Sequence, residues 1–63
     1  MNLQQVIFEF IQRGNSVKVT AMDPQTLVEV SIVGPANASQ AALKATALNK
    51  LKYVLGKRQP GRT

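Results

Sequence analysis

The chain has 63 residues, of which 44% are apolar, with eight basic residues against three acidic ones, no histidine and no cysteine. A chain this short builds one core at most, and its apolar content is too high for a disordered chain of this charge. The missing histidine and cysteine exclude disulfide staples and the usual zinc ligand sets, which leaves self-association as the remaining source of stability for so small a domain.

The opening MNLQQVIFEF has no basic region followed by a long apolar stretch and no small-residue cleavage site, so no signal peptide is expected. No run reaches the ~20 apolar residues of a membrane span, so no membrane partner is expected and the location predicted is cytoplasmic. The formal net charge of +5 favours anionic partners in general.

In chain order, residues 6–33 alternate apolar and polar with period two, interrupted twice by turn chemistry, which predicts strands. Arg13-Gly14-Asn15-Ser16 reads as a two-residue hairpin loop, because Gly14 and Asn15 both tolerate positive φ. Asp23-Pro24-Gln25-Thr26 reads as a type I turn, with Pro24 preset at its second position and Asp23 able to hydrogen-bond forward. Strands follow at about residues 6–12, 16–22 and 27–33.

Pairing Arg13 with Ser16 sets Phe10 opposite Val19 and Phe8 opposite Ala21. Carried across the second turn, the same reading sets Met22 opposite Leu27, Val19 opposite Val30 and Val17 opposite Ile32. One face then collects Phe8, Phe10, Val17, Val19, Ala21, Val28, Val30 and Ile32, apolar throughout as a buried face requires. The other face is mixed: Ile7, Glu9 and Ile11, then Lys18, Thr20 and Met22, then Leu27, Glu29, Ser31 and Val33.

Beyond Gly34 and Pro35 the period becomes helical. Asn37 is the expected N-cap, with Gln40 three residues on as its capping-box partner. Leu43, Ala47, Leu51, Val54 and Leu55 form the apolar stripe, Leu48 lies at its edge, and Gly56 is the expected stop. The predicted architecture is α+β, a three-stranded antiparallel meander with one C-terminal helix packed on one face, making a single βββα domain over residues 1–56. Residues 57–63, basic and without an apolar side chain, are expected to form a disordered tail.

The order FEF, GNSVKVTAMDP, EVSIVGP and a helix ending ALNKLKYVLGKR resembles an uncharacterised family of small bacterial proteins defined as a domain of unknown function. The resemblance spans about Phe8 to Arg58 and implies no established activity. Some members carry the name of a pyridoxal-phosphate hydroxymethyltransferase, but that chemistry needs a buried lysine and an enclosed cofactor pocket that so short a chain has no room to build.

Catalytic, metal and cofactor sites are not expected. With no histidine or cysteine there is no ready general base or thiol nucleophile. Glu9 and Glu29 fall in one row of the open face with Thr20 between them, about 9–10 Å apart, which matches the spacing of an inverting glycosidase pair. An open sheet face has no walls to raise a carboxyl pKa or hold a sugar, so the pair reads as solvated acids.

Nucleic acid is the second partner considered. Lys50, Lys52, Lys57, Arg58 and Arg62 form the candidate anion-binding cluster at the C-terminal end. Cations at a helix C-terminus are equally expected from the helix dipole, and the sheet exposes neither a basic row nor stacking aromatics. The stronger signal is apolar: Ile7, Met22 and Leu27 in one row of the uncovered face, with Ile11 and Val33 nearby, and no proline or central charge run on either outer strand. The expected function is therefore a non-enzymatic interaction module that forms a homodimer through the uncovered face or a sheet edge, another protein being the alternative occupant. The competing reading is a basic accessory protein that binds nucleic acid without sequence preference.

Overall fold

A computed structural model describes residues 5–57. Three strands, β1 (Ile7–Arg13), β2 (Ser16–Met22) and β3 (Glu29–Pro35), form an antiparallel sheet in the order β1-β2-β3, and one helix, α1 (Gln40–Lys57), follows. The chain is thus an α+β meander with its helix at the C-terminal end.

The first hairpin has the predicted register, with Arg13 opposite Ser16, Phe10 opposite Val19 and Phe8 opposite Ala21. Gly14 adopts φ 59° and Asn15 does not share the positive φ, the pattern of a type II′ loop, whose twist matches that of the strands it joins.

The second connection corrects the predicted register. Met22 lies opposite Glu29, Val19 opposite Ile32 and Val17 opposite Gly34, a slip of two residues from the expected pairing. The loop is longer than a simple type I turn: the Asp23 N–H donates to the Val28 carbonyl at 2.9 Å, and the Leu27 N–H donates back to the Asp23 carbonyl at 2.8 Å. Leu27 closes this loop at φ 64°, a left-handed conformation that a leucine rarely takes. Asp23, only 1% exposed, holds the loop from inside; its Oδ1 accepts the Gln25 N–H at 3.2 Å and its Oδ2 accepts the Thr26 hydroxyl at 3.0 Å. Because the slip is by an even number of residues, every β3 side chain keeps its face.

The core lies between the inner sheet face and α1. Val17, Val19, Ala21 and Val30 are buried against Leu43, Ala47 and Leu51, which recur along one stripe of the helix. The helix lies over β2 and β3. Phe8 and Phe10 on β1 are consequently half-buried, with the Lys44 ammonium 5.0 Å from the Phe8 ring centroid.

Both predicted helix ends are displaced. Ser39, not Asn37, is the N-cap: its Oγ accepts the Ala42 N–H at 3.1 Å and its carbonyl accepts the Leu43 N–H at 3.1 Å. The two added loop residues make a turn closed by the Ala38 N–H on the Pro35 carbonyl at 3.1 Å, while the Ala36 N–H reaches the Asn15 carbonyl at 2.9 Å. At the other end the helix runs through Gly56 to Lys57, about 27 Å in all, because Gly56 has no positive φ to stop it. The tail expected over residues 57–63 thus loses Lys57 to the helix, and the remainder, with Arg58 and Arg62, lies outside the described residues.

Candidate functional site

The sheet has two unlike faces. With α1 covering one, the other presents four cross-strand rows: Ile7, Met22 and Glu29; Glu9, Thr20 and Ser31; Ile11, Lys18 and Val33; Arg13, Ser16 and Pro35. Thr20 and Ser31 share a hydrogen bond at 3.0 Å between their hydroxyls in the second row. Around it, Val33 is 70% exposed, Ile7 51% and Ile11 37%, while Met22 is half-buried.

Four of the five apolar residues expected on the open face are therefore there. Leu27 is the exception: it is 72% exposed in the β2–β3 loop, and Glu29 stands in its place beside Met22. The same slip removes the expected Glu9, Thr20 and Glu29 row, since Glu29 pairs with Met22 and Ser31 pairs with Thr20. The two carboxylates lie in different rows. An open hollow of about 390 Å³, lined by Ile11, Arg13, Ser16, Lys18 and Val33, occupies the hairpin end of this face.

The two outer strands also differ. A two-residue hairpin makes Arg13 and Ser16 a hydrogen-bonded pair, so Ile11 and Lys18, Glu9 and Thr20, and Ile7 and Met22 bond likewise. The N–H and C=O groups of Phe8, Phe10 and Gln12 therefore turn away from β2. On β3 the bonds from Asp23 to Val28 and from Ala36 to Asn15 fix the opposite phase, which turns the Ser31 carbonyl outward. There the Lys50 ammonium donates to it at 2.9 Å, and Pro35 on the same edge has no N–H to offer. The expectation that neither outer strand is blocked thus fails for β3, whereas among the described residues no side chain is bonded to the outward backbone groups of Phe8, Phe10 and Gln12.

Of the candidate anion-binding cluster, Lys50, Lys52 and Lys57 are among the described residues, and they do not converge on one point. Lys50 is bonded to β3, and Lys57 lies over the Tyr53 ring at 5.3 Å from its centroid, its ammonium 3.4 Å from the hydroxyl oxygen. Lys52 is exposed, and at about 100° per residue it leaves the helix on the flank opposite Lys50. Among the described residues no three of His, Cys, Asp and Glu come together as a metal site, and no helix is long and apolar enough to cross a membrane.

Fold and surface together define a small βββα domain in which, among the described residues, one sheet face and the β1 edge are left uncovered. The chain matches the family described as Domain of unknown function (DUF6898) over residues 3–59, nearly its whole length, and belongs to that family. Comparison with curated proteins and with solved structures finds no match.

Proposed function

We propose that this chain is a non-enzymatic interaction module that associates with a second copy of itself through the uncovered face or the free edge of its sheet. The observation that carries this reading is the exposure of Ile7, Ile11 and Val33 together on one sheet face, where a monomer leaves them in water. Burying them is favourable at roughly 25 cal/mol per Å² of apolar surface. The nucleic-acid reading has less support, because Lys50 and Lys57 are engaged within the fold and Lys52 stands apart from both.

Sedimentation velocity over a range of concentrations tests the proposal. The wild-type chain is expected to sediment as a dimer, and Ile11→Glu as a folded monomer. Glutamate at that position faces Lys18 within the copy, so the variant keeps a favourable cross-strand pair while placing a charge on the association surface. A wild-type chain that stays monomeric at millimolar concentration overturns the reading.

A further inference from the structure

Resting on that self-association, we propose that two copies join along the free edge of β1, antiparallel about a two-fold axis at Ile11, to form a continuous six-stranded sheet. A strand edge takes a partner only where its outward N–H and C=O groups are unclaimed, and the two edges of this sheet are not equal. On β3 the Ser31 carbonyl is taken by Lys50 and Pro35 lacks an N–H. On β1 Phe8, Phe10 and Gln12 direct their backbone groups outward with no proline among them.

Symmetry and charge select the register. Two β1 strands related by a two-fold axis must bring outward-facing residues opposite one another, and an axis at Glu9, Phe10 or Ile11 is what pairs at least two of the three residues Phe8, Phe10 and Gln12 across it. An axis at Glu9 sets two carboxylates against each other. At Phe10 it sets Glu9 against Ile11, and Ile7 against Arg13. Only an axis at Ile11 places Glu9 opposite Arg13 of the second copy, twice, with the two Ile11 side chains packed at the centre. Within one strand Glu9 and Arg13 are about 13 Å apart and cannot pair, and their own β2 neighbours are the uncharged Thr20 and Ser16.

The inner face fits the same arrangement. Because α1 covers β2 and β3, Phe8 and Phe10 are half-buried; Lys44 lies over Phe8, and a gap of about 230 Å³ opens beside Phe10 and Gln12, between β1 and the start of α1. The pairing sets Phe10 next to Gln12 of the second copy and closes that gap between the two helices.

Sedimentation velocity and far-UV circular dichroism on three variants test the arrangement. Gln12→Pro removes an outward N–H from an exposed edge position and is expected to abolish the dimer while the spectrum stays folded. Glu9→Arg turns both ion pairs repulsive and should weaken dimerisation by about tenfold or more; Glu9→Arg with Arg13→Glu exchanges the partners and should restore it. A dimer untouched by Gln12→Pro, or a double variant no tighter than Glu9→Arg, overturns the edge pairing and leaves the self-association standing. A monomeric wild-type chain overturns both.

Discussion

Leu43 fills the notch that Gly34 leaves in the inner face of the sheet. A β-carbon placed on Gly34 would collide with the Leu43 Cδ2 methyl and approach its Cγ at 3.8 Å. The residue opposite Gly34 on β2 is Val17, so the helix meets the sheet here with no slack. Gly34→Ala is accordingly expected to destabilise the fold by about 1–3 kcal/mol, the range for overfilling a packed core. Urea unfolding measures it, and the penalty should shrink in a Leu43→Ala background, where the methyl is gone.

The helix start separates two candidate caps. Ser39→Ala removes the oxygen that takes the Ala42 N–H and is expected to cost about 1 kcal/mol. Asn37→Ala should lie within about 0.5 kcal/mol of the wild type, as an exposed loop substitution. Thermal denaturation of both variants checks the pair; an equal loss from each would return the cap to Asn37.

Leu27 holds a left-handed backbone without burying its side chain. Leu27→Asn relieves that strain with a residue that tolerates the conformation and should stabilise the protein by about 0.5–1 kcal/mol. Its sedimentation should match that of the wild type, because the loop position stands off the open face. A loss of association on this substitution would place Leu27 in the interface after all.

Lys50 guards the β3 edge with a solvent-exposed bond, so Lys50→Ala is expected to cost less than about 1 kcal/mol in urea unfolding. Its larger effect should be on assembly. With the Ser31 carbonyl freed, species beyond the dimer are expected in light scattering at concentrations where the wild type shows none.

The sheet was legible where turn chemistry and side-chain period agreed. Gly14 dictates a two-residue loop, and from it the whole β1–β2 register follows. The second turn departs from its sequence signal because the residue that lengthens it is Leu27, whose type argues against the left-handed conformation it takes; a glycine there would announce the longer loop. The faces survived the error, since period-two side chains are indifferent to a slip of two, and Ile7, Ile11 and Val33 appear where alternation put them. What alternation does not carry is lateral position: that the helix lies toward β3 rather than β1, and that Lys50 reaches a strand carbonyl, depend on tertiary packing.

That lateral offset of α1 gives the sheet a graded resistance to opening. β2 is clamped between two ladders and the helix, whereas β1 is held by one ladder and two half-covered phenylalanines. The β2 amides that donate to β3, those of Val17, Val19 and Ala21, should therefore exchange with solvent only through global unfolding, whereas those of Lys18, Thr20 and Met22 should exchange, along with the bonded β1 amides, through a smaller excursion in which the strand lifts. The weakest hinge of the molecule is thus the strand on which a neighbour would settle, and a chain left alone would be most exposed to misassembly in the moments when that strand is away.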